Sequence, residues 1–417
     1  MNTFRKYLCI EVIVWIYLGC WNATVPLIIV QRGSLLDLAI YETALAFSAV
    51  ISMLYLAPRV EIMGRIPALR MACVVILLSG ALRYVSISHS YSLGALITVD
   101  ILAVAGFGVA QSLFGVYPAE AVERHRTEYA FRIRRIFTTV SRVLGPLIAG
   151  VFIAIFSTQT ALLVAAVFGA LAVSIAITIP NKRPPDCGDR KRSRTRIHDV
   201  FLGIKLKFVL PPERFLTSCG FLLSLATTAT LPMLVSAMIH GQHLDESNAG
   251  LFNAIFAAGS VTGLFLLSPL VSKKENQRFK YLSLWASLIV ALSACSYSTG
   301  VWNLASWLFV AGAASACLSL VGMDKRTLSV PSSVRIRLTA ATLVMSQLAN
   351  TASYIVTSAV ISNFGISGLP WLYLAVFSLV FVIAMLSTFV WQFLEDEEDS
   401  ERFYQRKCPE LVNVMQD

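Results

Sequence analysis

Glu11, Arg83, Asp100 and Arg142 stand inside long apolar runs, where a charge needs a reason to be. A charged side chain at the centre of a bilayer costs about 3 kcal/mol on insertion scales, so each must find a counter-charge, reach water or exchange a proton. Arg83 and Asp100 fall near facing ends of consecutive segments, at matching depth if those segments run antiparallel. They then form a static ion pair; unpaired, Asp100 is a proton-exchanging acid. Glu11 is followed by Trp15 and Asn22 on roughly the same helical face. Desolvation there would raise its proton affinity and suit it to carrying a proton; alternatively it pairs with Arg142, at a similar depth in its own segment. Gln111, eleven residues after Asp100, continues a polar stripe on that segment. In the second half Asn253, Gln347 and Asn350, with Thr227, Thr228, Thr230 and Ser346, are candidate hydrogen-bonding groups in a cavity, although such residues also hold membrane helices together.

The elements that must position these residues are twelve apolar segments: 8–30, 38–57, 69–88, 93–117, 136–156, 161–179, 215–239, 250–271, 281–297, 302–321, 338–361 and 369–393. Each can cross about 30 Å of hydrocarbon as a helix. Lysine and arginine concentrate in every second gap, after the second, fourth, sixth, eighth and tenth segments, and flank both ends of the chain. The positive-inside rule then places both termini in the cytoplasm, and twelve spans satisfy that parity. The expected class is an all-α polytopic membrane protein.

The chain is 56% hydrophobic and 14% charged, far below the roughly 25% charged residues of a soluble domain. Its net charge of +10 lies in short loops without aromatic interleaving, which argues for lipid headgroups and topology and against nucleic acid. The first apolar run carries Glu11 and no small-residue cleavage site, so it reads as a retained helix. Eight scattered cysteines imply neither disulfide framework nor zinc site, and His240 and His243 are not spaced as metal ligands. No phosphate loop, catalytic triad or metal cluster can be assembled, so neither an enzyme nor a cofactor is expected. Trp302, Trp307, Trp371 and Trp391, near segment ends, read as interface anchors.

The longest polar stretch divides the chain in two. Residues 1–180 form one six-helix bundle, 181–214 a basic linker able to hold a short amphipathic helix from 197 to 210, 215–394 a second bundle, and 395–417 a cytoplasmic tail. Arg132-Ile133-Arg134 opens the fifth segment and Arg335-Ile336-Arg337 the eleventh, an echo at equivalent places of a six-plus-six plan.

Two motifs join this plan. Residues 57–66 hold Glu61, Gly64 and Arg65 in the pattern of a GxxxDxxGRR loop, departing from it at Ala57 and Ile66. In the fifth segment Gly145, Pro146 and Gly150 are similar to a GPxxGG element. On these features the chain resembles the major facilitator superfamily, and the second motif its drug and sugar efflux antiporters. The resemblance implies two six-helix bundles, a conformational latch at Glu61, Gly64 and Arg65, and alternating access around a midplane cavity. It implies a secondary active transporter, first of all a proton-coupled exporter of a drug or antibiotic; sugar-like efflux and proton-coupled uptake are the alternatives. The span-four arginine of the family is not found in residues 100–106. Expected partners are a small-molecule substrate, protons and the lipid bilayer, with the chain a monomer in a bacterial inner membrane. A receptor or assembly protein retaining the transporter fold is the rival of another class.

Overall fold

The structure, a computed structural model, describes residues 2–56, 64–89, 91–122, 127–180, 197–242, 247–267, 275–321 and 332–395. All elements among them are helical: α1 (Asn2–Arg32), α2 (Leu35–Tyr55), α3 (Arg65–His89), α4 (Leu93–Ala121), α5 (Thr127–Ile155), α6 (Thr158–Ile177), α7 (Ile197–Val209), α8 (Pro211–Thr227), α9 (Thr230–Gln242), α10 (Ser247–Thr262), α11 (Gln277–Tyr297), α12 (Val301–Leu320), α13 (Ser332–Phe364), α14 (Leu369–Leu386) and α15 (Thr388–Glu395). A π-turn, Gly263–Leu267, continues α10, and a 3₁₀ turn, Ile366–Gly368, precedes α14.

Among the described residues every apolar segment falls on these helices, with α8 and α9 sharing the seventh and α14 and α15 the twelfth. Ten of the resulting stretches, among the described residues, are long and apolar enough to cross a membrane. The other two segments fall on α5, whose apolar part Val140–Ile153 is short because arginines fill its first half, and on α13, which is rich in hydroxyl and amide side chains. The chain is a multi-pass helical membrane protein. Large apolar side chains such as Phe47, Leu78, Val167, Leu379 and Leu386 are exposed on the outer stripes of their helices, as lipid contact requires.

Short-range chemistry sets the helix ends. Ser34 caps α2: its Oγ accepts from Asp37 N at 3.2 Å, and Asp37 Oδ2 accepts from Ser34 N at 2.8 Å. Basic side chains close the carboxyl ends, where carbonyls lack intrahelical donors. Arg70 donates to the carbonyls of Ala176 and Ile177 in the last turn of α6 and of Ile179 just beyond it, Lys6 to that of Thr178, and Arg32 to that of Ile87 in α3. Gly64 enters α3 at φ +86°, in the left-handed region that favours glycine. Glu61, its expected latch partner, lies outside the described residues.

The chain divides into two compact units, Met1–Arg196 with Val235–Ala254, and Ile197–Leu234 with Ile255–Asp417. In the first, α1 packs on α5 and α6, α3 on α4 and α6, and α2 on α4; in the second, α11 packs on α12 and α14, and α13 on α7 and α8. Residues 197–209, expected within the linker, form a helix of the second unit, held by a buried pair in which Lys207 Nζ donates to Glu213 Oε2 at 2.9 Å. Trp391, expected as an interface anchor, is instead buried against Phe215 and Tyr281, its Nε1 donating to Ala384 O.

Glycines allow the closest crossings. A Cβ on Gly145 would lie 2.7 Å from Gly19 Cα and from Ile16 O on α1, and one on Gly250 would lie 2.0 Å from Gly150 Cα. In the second unit Gly259 and Gly312 carry the α10–α12 crossing in the same way. Gly145→Ala should therefore lower the melting temperature, by the equivalent of about 1–3 kcal/mol for an overpacked contact. Gly220→Ala, where an added Cβ meets nothing within 4 Å on an exposed face of α8, should be neutral or stabilising by up to about 1 kcal/mol. Paired thermal melts of the two variants in one detergent check the opposite signs.

Candidate functional site

Towards the second half of α1, four helices meet around Arg83 and Asp100. Arg83 Nε donates to Asp100 Oδ1 at 2.7 Å, with Nη2 2.5 Å from the same oxygen; Nη1 donates to Tyr17 Oη at 3.2 Å. Tyr41 Oη donates to Asp100 Oδ2 at 2.5 Å and accepts from Trp21 Nε1 at 2.9 Å. The guanidinium lies 4.3 Å from the Trp21 ring centroid. All five side chains are buried, Arg83 at 1% and Asp100 at 0% exposure. Both carboxylate oxygens are engaged, and α1, α2, α3 and α4 each contribute. The pairing of Arg83 with Asp100 follows the antiparallel, equal-depth expectation; Tyr17, Trp21 and Tyr41 complete a shell that sequence reasoning did not reach.

Towards the first half of α1, Glu11 is 1% exposed and held by Arg134 of α5, not by Arg142. Arg134 Nε and Nη2 grip both carboxylate oxygens at 2.7–3.0 Å, the bidentate geometry that guanidinium favours. Tyr117 Oη of α4 donates to Glu11 Oε2 at 3.1 Å, and Tyr7 stacks on Tyr117 with centroids 5.0 Å apart. Arg134 is 24% exposed, so this pair, unlike that of Asp100, has one partner in reach of water. From sequence Arg134 precedes the apolar segment and reads as a topology charge. The helix in fact begins at Thr127, and Arg134 stands two turns before Arg142 on the same face.

Arg142 itself lies over Trp15, its Cζ 3.9 Å from the ring centroid, and Trp15 meets Phe107 of α4 edge-on at 5.3 Å. The lipid-type stripe of α5 is Phe137, Val140, Leu144, Leu147, Val151 and Ile155, all exposed. Arg142 stands two residues from Val140 and from Leu144, roughly 200° around the helix. It is nevertheless exposed, so it borders open space on the side turned to the other helices. On α1, Trp15 is partly exposed and Asn22 exposed while most of the helix is buried; on α4, Phe107 and Gln111, one turn apart, are partly exposed. These residues define one polar and aromatic face of the first unit.

In the second unit α8 breaks where Pro232 removes the N–H that would bond Thr228 O. In an unbroken helix Ala229 N would donate to Leu225 O. Ser353 of α13 is inserted instead: Ala229 N donates to Ser353 Oγ at 3.0 Å, and Ser353 Oγ donates to Leu225 O at 2.9 Å. Thr228 Oγ1 donates to Asn350 Oδ1 at 3.0 Å, and Asn350 Nδ2 to Gln347 Oε1 at 3.4 Å. Thr230 Oγ1 donates to Ala226 O and meets Tyr373 Oη at 3.1 Å. Thr227 bonds within its own helix, Ser346 is exposed, and Asn253 is half-buried. Ser353→Ala should strand a buried donor and a buried acceptor at once, at about 1–3 kcal/mol each. A melting temperature lower than that of Ser358→Ala, on the same helix, is the expected result.

Among the described residues no group of three His, Cys, Asp or Glu is placed to hold a metal ion. His240 is helical and His243 lies outside the described residues.

The helices and their break define a polytopic helical membrane architecture, and solved structures share it. No family model matches the chain, and no curated protein matches it by sequence. The nucleoside transporter NupG is 14% identical over 94% of this chain and 100% of its own, with a TM-score of 0.69. A bacterial homologue of the iron transporter ferroportin, in an inward-facing state, is 13% identical over 93% of this chain and 98% of its own, at 0.69. The xylose transporter XylE from E. coli, inward open, is 12% identical over 90% and 94%, at 0.64. The chain has the fold of the major facilitator transporters.

Proposed function

We propose that the protein is a secondary active transporter that moves a small organic solute by alternating access, coupled to protons. The observation that carries this reading is the accessible face formed by Trp15, Asn22, Phe107, Gln111 and Arg142 within a transporter fold. An accessible cavity carboxylate would favour transport, and all four in-span charges locked in pairs would favour a receptor or assembly role; Arg83, Asp100 and Glu11 are paired with both carboxylates buried, whereas Arg142 is accessible. The similar structures are transporters of nucleosides, xylose and metals, and one is a D-xylose-proton symporter, which supports polar cargo and proton coupling as the class.

Between the two acids, we assign proton coupling to Glu11. Its partner Arg134 is partly exposed, so modest motion brings a proton to the carboxylate; Asp100 is enclosed by side chains of at most 4% exposure. Protonating Glu11 would release the bidentate bond and bias the equilibrium between states. Efflux of a drug or antibiotic retains the Gly145-Pro146 element as its support, but the close crossing with Gly19 accounts for that element by packing. Uptake by symport is the second reading, supported by the bound Glu11, which leaves no free carboxylate among the described residues of this face to receive a cationic drug. The basic loops support cytoplasmic termini in a bacterial inner membrane. We take the transporter as a monomer, with bundles 1–180 and 215–394 as its moving bodies and Gly64 and Arg65 in its latch.

Purified protein in proteoliposomes, given an imposed pH gradient and a panel of nucleosides, pentoses, aromatic carboxylates and lipophilic cationic drugs, tests the reading. Gradient-dependent flux of one class is expected, with its direction separating efflux from uptake. Absence of both gradient-driven flux and exchange across the panel would favour the non-transporting role.

A further inference from the structure

We infer that Arg142 and Trp15 form an anion-binding subsite, and that the solute carries a carboxylate or phosphate-type group beside an aromatic or apolar body. This rests on the transport reading for its purpose but not for its chemistry. Glu11 is taken by Arg134 through three hydrogen-bond contacts and Asp100 by Arg83, so the two acids are matched one to one. Arg142 makes no ion pair among the described residues: its Cζ lies 3.9 Å from the centroid of the Trp15 ring, and Glu11, already gripped by Arg134, acts on it only from beyond ion-pair distance. A ring quadrupole orients a guanidinium but carries no net charge. With no acid of its own in ion-pair contact and its side chain exposed, Arg142 keeps its charge and its N–H groups available to an anion entering this face.

The geometry suits such a ligand. The Trp15 ring beside Cζ accepts no conventional N–H bond, so the guanidinium fork keeps donors for a carboxylate or phosphate, which can accept two parallel bonds from it. The Trp15–Phe107 edge-on pair beside it offers an apolar wall, and Gln111, one turn beyond Phe107, offers an amide. Cationic solutes are disfavoured here, since Arg134 and Arg142 lie two turns apart on one helix face and the nearest acid is already gripped.

The test is ligand binding to the full-length purified protein in nanodiscs, followed by tryptophan fluorescence and by thermal melts. Benzoate and phenyl phosphate are the anionic probes; benzamide and benzylamine are their neutral and cationic counterparts. The anions should bind at least about tenfold more tightly than benzamide, a difference of about 1.4 kcal/mol. Arg142→Gln should abolish that preference, Arg142→Lys should keep part of it, and Trp15→Phe should remove most of the fluorescence change while retaining the preference. Wild-type size-exclusion profiles for the variants establish that they are folded. Equal binding of benzoate and benzamide, no binding of either anion, or an anion preference that survives in Arg142→Gln would overturn the subsite. Because binding is read without flux, anion binding by a protein that moves nothing would refute transport and leave the subsite standing.

Discussion

Asp100→Asn is expected to abolish the folded protein, or to melt it far below wild type, and not to yield a folded but uncoupled transporter. The substitution removes the charge opposing a guanidinium that is 1% exposed, and breaking one half of a buried ion pair costs about 3–5 kcal/mol. It also replaces the oxygen that accepts from Tyr41 or the one that accepts from Arg83 with an amide donor, turning an attraction into a clash of donors. Four helices share this cluster, so its loss spreads through the first unit. Removing both charges should hurt less than removing either: Arg83→Leu combined with Asp100→Leu should melt above both single variants, because no buried charge is left unpaired. Fluorescence-detected size-exclusion melts of the four proteins check this. A well-folded Asp100→Asn that has lost only proton coupling would overturn the structural assignment.

Glu11→Gln is expected to behave in the opposite way. Glutamine preserves the volume and one acceptor, and Arg134 is exposed enough to turn to water, so the loss of stability should stay near about 1.5–3 kcal/mol for a hydrogen bond to a charged group. The functional loss should be much larger. A side chain that cannot bind or release a proton makes the two conformations insensitive to the proton gradient, so gradient-driven accumulation should fall about tenfold or more while solute exchange at equal pH persists. Arg134→Gln should share the stability loss yet retain pH dependence, because the carboxylate remains. Parallel assays of accumulation and exchange in proteoliposomes separate these outcomes.

How much of this was legible from residues alone depends on the range of the interaction. The helices were readable because lipid imposes a length and an apolar composition on each. Arg83 with Asp100 was readable because consecutive antiparallel segments place equal depths side by side. Glu11 was readable as out of place, but its partner was not: the apolar window opened at 136, and Arg134 lay just before it although the helix runs from Thr127. The spacing of eight between Arg134 and Arg142 was the available signal. Ser353 gave none, since a serine in a helix full of hydroxyls becomes special only when a broken helix from elsewhere in the chain presents Ala229 N and Leu225 O to it. Trp391 misled for a similar reason: a tryptophan near a span end reads as an anchor until a short terminal helix folds it back onto Phe215.

The central claim is that solute movement is tied to a proton carried by Glu11, and substrate-evoked proton movement in inverted membrane vesicles measures that tie most directly. Vesicles holding wild type or Glu11→Gln are loaded with a pH-sensitive dye, and a solute shown to be exchanged is added. A pH change from wild type that is absent from an equally abundant, folded Glu11→Gln is the predicted result. An identical pH change from both proteins would contradict it.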